Sequence, residues 1–404
     1  MPIGTPFHSR TSALCTSQNW RTWSGYLVAS SYEVVHDYEY HAIRNSAGLI
    51  DVSPLYKYDV RGKDAVKLVN RVITRDASKC AAGQALYACL CEEDGAVIQD
   101  GTVFRLAEDH FRFHLAEPAF RWLKLNALAM DVSIVEVSER VAALALQGPN
   151  AFKILGCLVD FELGGLRFFR FASGKLRDVP VIVSRTGYTG DLGYEIWLGA
   201  EYAERAWDIL LEEGAAFGIK PAGLLALDVA RLEAGFILLE VDYTSAEKAL
   251  IPSQRYSPLE IGLGWTVDLK KAHFVGAPAL KKLHEPFRQI VGLEIDLNDY
   301  EHLFNQVGLP PQFPTAAWRG SAPLYKDDRQ VGHATTGAWS PVLKKYIALA
   351  TIEKDYTPPE TRLDMEVTVN HKQKTAGAKV TKLPFFDPPR KRALFEPAAT
   401  KSVE

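Results

Sequence analysis

An α+β fold is predicted for this chain on three observations. Strand-like and helix-like runs are mixed without strict βαβα alternation, a pattern of layered α+β folds. Runs rich in β-branched residues, such as VPVIVSR, are short and bounded by turn residues. From Ala322 to Phe386 short strands recur at regular spacing, as in a small, barrel-like β-domain. A length of 404 residues predicts two or three domains rather than one.

The elements follow in order. Residues 1–30 show no clean period and read as irregular. Ser31 to Gly48 reads as a helix ended by its glycine. LIDVS and the strand YKYDVRG come next. Asp64 to Ile73 carries Ala65, Val66, Val69 and Ile73 at helical spacing. QALYACLC, AVIQDGTVFRL and FRFHLAE read as strands, the first two joined at Glu92-Glu93-Asp94-Gly95. A helix over 119–129 precedes the strands VSIVEV and VAALALQG. GYTGDLGYEIWL is a glycine-rich turn entering a strand, and 202–216 and 222–234 read as helices. Residues 297–323 are rich in Pro, Gly and Asn and read as an inserted loop or linker. The polar tail 387–404 is expected to fray.

Composition excludes several classes. Lys+Arg number 46 and Asp+Glu 49, a net charge of −3. Non-specific nucleic-acid or anionic-membrane binding would want a basic excess. No apolar run approaches the ~18 residues of a membrane span. Cys15, Cys80, Cys89, Cys91 and Cys157 are too few for a disulfide framework and lack zinc spacing. They read as buried thiols in a reducing compartment, the cytoplasm. Residues 1–32 lack Asp and Glu and resemble a transit peptide, which makes the mitochondrial matrix the alternative. GYTGDLG is not G-x-G-x-x-G, and no Lys-Ser/Thr follows it, so neither a dinucleotide loop nor a P-loop fits. There is no H-E-x-x-H, no His pair at metal spacing, and Ser173 and Ser184 lack a nucleophile elbow. No metal is expected.

The ordered blocks EYHAIRNSAGLIDVS, RGKDAVKLVNRVITRDASKCAAGQALY, DGAVIQDGTVFRL, ALQGPNA, RTGYTGDLGYEIW, PAGLLALDVARLEAG and GLGWTVDLKKAHFVGAPAL lie in one chain, with TTGAWSPVLKKYIALA and LPFF at the close. Over residues 33–386 it resembles the glycine-cleavage T-protein (aminomethyltransferase) superfamily of folate-binding one-carbon transferases. The resemblance implies three domains in a cloverleaf around a central hole that holds tetrahydrofolate. The expected division is 1–60 with 140–275 as a discontinuous folate-binding domain, 61–139 as a second α+β domain, 276–390 as the C-terminal β-rich domain and 391–404 as a tail.

The resemblance also implies site residues. Asp100 falls on the family's catalytic aspartate. Tyr87 falls on an aromatic lining the folate site, and Tyr188 and Glu195 on the residues used on the pterin. Arg231 matches an arginine facing the folate region, and Leu55 and Phe104 fall on apolar positions near the cofactor. The chemistry is consistent. The pterin edge offers two adjacent donors, which one carboxylate accepts together. Strand alternation alone leaves open whether Glu195 points outward. Tyrosine rings offer flat faces, although core packing is their plain alternative. Aspartate is a poor strand former, so Asp100 inside an apolar run needs a reason, and Gly101 leaves room for a ligand beside it. A buried Arg231 needs an anion, either Asp228 or the folate glutamate tail.

The chain departs from T-proteins at three places. Pro54-Leu55 replaces a His-Met pair, Gln99 replaces the first of two aspartates, and Ala116 stands at an asparagine. The N-terminal stretch resembles dimethylsulfoniopropionate demethylase, and IQDGTVFRLAEDHF is similar to aromatic O-demethylases. Trp20, Trp23, Tyr26 and Tyr32 offer aromatic walls for a cationic methyl donor, or else pack the segment onto the core. Glu117 adds a charge, or else is simply solvated. These features favour a demethylase moving methyl from a small N-, O- or S-methyl donor to N5 of tetrahydrofolate. The alternatives are the aminomethyltransferase of glycine cleavage, which needs a lipoyl carrier protein as partner, and a non-catalytic folate-binding accessory protein. Asp100 argues against the last. No nucleic-acid or membrane partner is expected.

Overall fold

The computed structural model describes residues 1–271, 273–283 and 285–395. Three large β units dominate it. A six-stranded sheet runs in the order Phe171–Leu176, Val179–Ser184, Gly193–Gly199, Val141–Gln147, Ala47–Asp51 and Ile219–Pro221, antiparallel except at its last pair. A five-stranded antiparallel sheet joins Gln84–Cys91, Val97–Ala107, His110–Leu115, Tyr56–Arg61 and Ser133–Glu136. Tyr56–Arg61 therefore pairs in this second unit, ahead of the boundary expected at residue 60. Six antiparallel strands from Arg288 to Thr381 close a barrel. Two of its hairpins turn on residue pairs with positive φ, Asp327-Asp328 and Asn370-His371. Those values match the right-handed twist of the flanking strands.

Local pattern explains most elements. The helix Ala65–Val72 buries Ala65, Leu68, Val69 and Val72, the one-face spacing expected of an amphipathic helix. The carbonyls at and just beyond its C-terminal end are collected by Lys271 Nζ, which donates to Asn70, Ile73 and Arg75. The helix Leu224–Glu233 has both Arg231 and Glu233 fully buried. Glu233 accepts from Tyr40, Arg44 and Ser340, joining the helix Asp37–Asn45 to the barrel strand Arg329–Ser340.

Four expectations are corrected. Residues 1–30 are not irregular: Ile3–Gly4, Tyr26–Ser31 and Asn19–Trp23 form a small sheet beside the helix His8–Leu14. Strands of two to six residues are too short to display a period. The helix expected from Ser31 starts at Asp37, because Ser31 ends a strand and the Tyr32 and Glu33 amides donate to Glu39 at 2.7 and 3.0 Å. The segment 297–323 contains the helix Leu297–Asn305, capped by the Asp296 carboxylate and packed through Tyr300 and Phe304. Within the tail, Arg390 binds Asp191 at 2.6 Å and the carbonyls of Lys391 and Ala393 accept from Arg185, so 387–395 is docked. Residues 396–404 of the expected tail lie outside the described residues.

Of the five cysteines, four are buried and Cys157 is exposed, none bridged among the described residues. No helix of the described residues is long and apolar enough to cross a membrane. One apolar cluster draws on all three β units. It contains Cys89, Val97 and Phe104 from the five-stranded sheet, Ala143, Ala145 and Trp197 from the six-stranded sheet, and Ala338, Ile347 and Leu349 from the barrel. The candidate site residues gather around this cluster.

Candidate functional site

Asp100 lies mid-strand, directly opposite Cys89. The face it shares with Tyr87 and Phe104 turns to the cluster between the β units, whereas Leu86, Ala88 and Val103 on the other face fill a separate core. The Tyr87 hydroxyl donates to Asp100 Oδ2 and the Tyr243 hydroxyl to Oδ1. The Asp100 amide in turn donates to the Tyr243 hydroxyl oxygen at 3.1 Å. Burial raises the Asp100 pKa, and the two tyrosines oppose that rise by hydrogen-bonding the charged form. Burial, then the neighbouring Asp100 charge, pushes both tyrosine hydroxyls well above their ordinary range. Both therefore stay neutral donors. Tyr87 also stacks against Trp265, ring centroids 6.2 Å apart, and the Trp265 indole is 63% exposed.

Glu195 stands on Gly193–Gly199 opposite Ala145 and Ser184. Trp197, two residues on, packs in the shared cluster, while Tyr194 and Ile196 fill the core on the sheet's opposite side. Glu195 thus faces the same interior as Asp100. Thr186 donates to Glu195 Oε2 at 2.5 Å. Burial raises the Glu195 pKa, opposed by the Thr186 and Ser184 hydroxyls. No N–H reaches this carboxylate among the described residues, so its capacity for donors of that type is unspent. Tyr188 stacks on Phe236 at 5.6 Å and donates to the Ile237 carbonyl, and burial drives its hydroxyl far up. Asp100, Tyr87, Tyr188 and Glu195 are all partly accessible despite this depth. Leu55 is half-buried against the same cluster.

Other expected residues stand elsewhere. Arg231 is fully buried, and its shortest ion pair is with Asp242, which the sequence did not offer, while the expected Asp228 pairs with it at longer range. Its Nη1 donates to Asp242 at 2.6 Å and its Nη2 to Thr336 at 3.1 Å, while Asp228 lies 3.8 Å from Nε. Both terminal nitrogens of the guanidinium are bonded within the protein, joining the helix to the barrel at Thr336, while Nε has no hydrogen-bond partner among the described residues. Phe104 is 1% exposed and packs among Phe171, His114 and Trp197, so it supports the site from beneath. Gly101 does not make room for a ligand. A Cβ there would lie 2.6 Å from the His114 carbonyl oxygen, so the glycine admits the neighbouring strand.

The N-terminal aromatics form no cage. Trp20 and Trp23 pack against different cores, as residues three apart on a strand must. Tyr26 pairs with Trp23, and Tyr32 is buried in the core with Trp20 at its margin. Glu117 is paired with Lys248 at 3.0 Å. Its amide and carbonyl exchange hydrogen bonds with the Gln99 side chain at 3.0 and 3.2 Å. Gln99 therefore serves backbone positioning, and Asp100 is the one carboxylate of that strand facing the interior.

The glycines of GYTGDLG have a packing role. A Cβ on Gly187 or Gly193 would overlap the Gln147 side chain at 2.1–2.3 Å. Thr189 holds that amide with a 2.8 Å bond to its oxygen. The segment wraps Gln147 and so aims Thr186, Tyr188 and Glu195 inward. Sequence reasoning missed Tyr243, Thr186, Asp242 and Trp265. Thr186, beside the glycine run, had a local signal; Tyr243 and Asp242 had none.

Residues 8–271 match the family model described as the GCVT N-terminal domain, and residues 305–387 match the glycine cleavage T-protein C-terminal barrel domain. The chain belongs to the glycine cleavage T-protein family. Relatives of this T-protein family member include an aminomethyltransferase of Halothermothrix orenii, 34% identical over 86% of this chain and 90% of that protein. One from Caldanaerobacter subterraneus is 36% identical over 83% of this chain and 84% of its own length. The structure of glycine cleavage system aminomethyltransferase T from Bartonella henselae superposes with a TM-score of 0.81 at 24% identity, over 98% of this chain and 100% of that one. The likeness in fold extends over nearly the whole of both chains. This T-protein family member is an enzyme, a folate-dependent one-carbon transferase.

Proposed function

We propose that the enzyme is an aminomethyltransferase, moving the aminomethyl group of a lipoyl-bearing carrier protein to tetrahydrofolate with release of ammonia. The near full-length likeness to aminomethyltransferases at 34–36% identity carries this reading. The demethylase reading drew on the N-terminal aromatics, on Glu117, on the likeness of IQDGTVFRLAEDHF to O-demethylases and on the departures at Pro54-Leu55, Gln99 and Ala116; of these, Trp20 and Trp23 stand on opposite faces, Gln99 serves the Glu117 backbone and Glu117 is paired with Lys248.

The residues present fit tetrahydrofolate. Glu195 is a partly accessible carboxylate with no N–H on it among the described residues, suited to the paired donors of a pterin edge. Tyr188 and Tyr87 offer ring faces, and Leu55 an apolar wall. When bound, the folate supplies N5 as the nucleophile that receives the one-carbon unit. Asp100 then stabilises positive charge developing nearby and accepts a proton at Oδ1 or Oδ2, directly or through water. Tyr87 and Tyr243 hold that carboxylate in one orientation from both sides. Desolvation around the cluster strengthens each of these interactions. Atoms balance simply: the carbon–sulfur bond of the aminomethyl carrier breaks, the carbon bonds to the folate nitrogens, ammonia departs and the carrier regains its thiol.

The purified chain should convert aminomethyl-loaded lipoyl carrier and tetrahydrofolate to methylenetetrahydrofolate and ammonia. Formation of 5-methyltetrahydrofolate from a panel of small methyl donors, with no turnover of the carrier, would restore the demethylase reading instead.

A further inference from the structure

The helix Ala65–Val72 buries one face and presents another to solvent. Lys67 and Arg71 stand one turn apart on the outer face, and Lys63, four residues earlier, continues the row. With Lys271 and His273 from a distant segment they line a cleft of about 510 Å³, to which Val66 and Met130 add an apolar part. No carboxylate lines it among the described residues.

The fold makes little use of this charge. The helix AVKLVNRV contains no acidic residue, and like charges four residues apart weaken a helix slightly. Arg71 alone gains from the helix C-terminus. Lys63 has a 3.6 Å contact with the exposed Asp131, and Lys67 and Arg71 make no ion pair among the described residues. Lys271 Nζ is occupied by three carbonyls, so the free donors in the cleft belong to Lys63, Lys67 and Arg71. In a chain of net charge −3 this is a local excess of the opposite sign, the setting that concentrates an anion.

A second cleft, of about 850 Å³, adjoins the first, with Arg71 and His273 common to both. Its character is different. Asp94 and Glu92 are matched by Arg255, whereas Glu93 is exposed and has no ion pair among the described residues. Trp122 and Leu125 add apolar surface. Trp122 Nε1 is buried and has no hydrogen-bond partner among the described residues. Asn126, 7% exposed, lines the same cleft. A buried N–H without an acceptor is costly, and a ligand atom that accepts from it removes the cost.

We infer that the paired clefts bind a phosphate monoester with a planar, hydrogen-bonding remainder, the chemistry of a nucleotide. Lys67 and Arg71 receive the phosphate, Arg71 as a fork and Lys67 as a point charge. Glu93 accepts from hydroxyls, and the planar part lies at Trp122 and Asn126. The site is separate from the folate reading and does not rest on it. The helix packs through Leu68 and Val69 on the sheet face that carries Leu86 and Ala88, and Asp100 is on the other face.

The test is calorimetric titration of the full chain at low ionic strength, with AMP, adenosine and inorganic phosphate as probes. The proteins are wild type, the double variant Lys67→Gln/Arg71→Gln, and Trp122→Phe. Wild type should bind AMP at least about tenfold more tightly than either fragment, because each fragment reaches one cleft alone. The double variant should lose at least about tenfold in AMP affinity and keep the wild-type denaturant midpoint, since both side chains are exposed. Trp122→Phe should lose about two- to tenfold, the scale of one neutral hydrogen bond. Saturating tetrahydrofolate should leave AMP binding unaltered. Wild type that does not bind AMP, or binds adenosine equally well, overturns the inference. So does unchanged affinity in either variant, or displacement of AMP by tetrahydrofolate. None of these outcomes bears on the folate reading.

Discussion

Asp100 and Tyr243 are bound to each other twice. The Tyr243 hydroxyl donates to Asp100 Oδ1, and the Asp100 backbone amide donates to the same hydroxyl oxygen at 3.1 Å. The tyrosine thereby fixes both the side chain and the strand that carries it. With Tyr87 on Oδ2, the carboxylate is held between two neutral donors in a buried setting.

The first prediction concerns this clamp. Tyr243→Phe removes a donor that favours the charged carboxylate, so the already raised Asp100 pKa rises further. A hydrogen bond to a charged group is worth about 1.5–3 kcal/mol, or roughly 1–2 pKa units. In the proposed mechanism Asp100 acts as the carboxylate, so activity should be lost on acidification at a higher pH than in wild type. The acid limb of kcat/KM against pH measures this. An unmoved limb would remove Tyr243 from the tuning role.

Asp100→Asn keeps shape and most hydrogen bonding but removes the charge. Folate affinity should survive, and single-turnover rates should fall by about 10²–10⁴, the range of one positioned acid/base group. A rate within about tenfold of wild type at saturating ligands would mean that proximity supplies the acceleration.

Glu195→Ala should weaken tetrahydrofolate binding by roughly 2–4 kcal/mol, because paired donors lose a shared charged acceptor. Calorimetric titration of the folded variant reads the change. Unaltered affinity would displace Glu195 from the pterin edge.

Arg231 and Asp242 are both fully buried. Removing one partner leaves an uncompensated charge, so Asp242→Asn should cost about 3–5 kcal/mol of unfolding free energy. Denaturant unfolding measures it. Full stability with weakened folate binding would instead return Arg231 to the ligand.

Burial lowers the Lys57 pKa to about 7, against the raising effect of Asp51. The unfolded chain, with an ordinary lysine pKa near 10.4, then binds more protons than the folded chain between about pH 7 and 10. Stability therefore gains from this group as pH rises through that window. Lys271, also lowered to about 7 by burial, adds to the same trend. Lys57→Met should flatten the rise in unfolding free energy from pH 7 to 9. An unchanged slope would show that Lys57 is charged in the folded protein.

Much of this was legible in the sequence. RTGYTGDLGYEIW and VARLEAG, in order and at their distances, carried the family and with it the α+β architecture and the barrel. Asp100 stood out because a carboxylate inside an apolar strand demands a reason, whereas Tyr87 and Glu195 were marked only by the family resemblance. The face each occupies was not legible for Glu195, since alternation says that two faces differ and not which one meets the next sheet. Only the tertiary structure decided that Arg231 is spent on Asp242, that Gly101 yields to a neighbouring strand, and that Trp20 and Trp23 part company. Tyr243 lies 143 residues beyond Asp100, and nothing near either residue announces the other. Periodicity records how much of a segment is apolar and on which side. A hydrogen-bond partner is set by where two distant segments come to rest, which is a property of the packed chain alone.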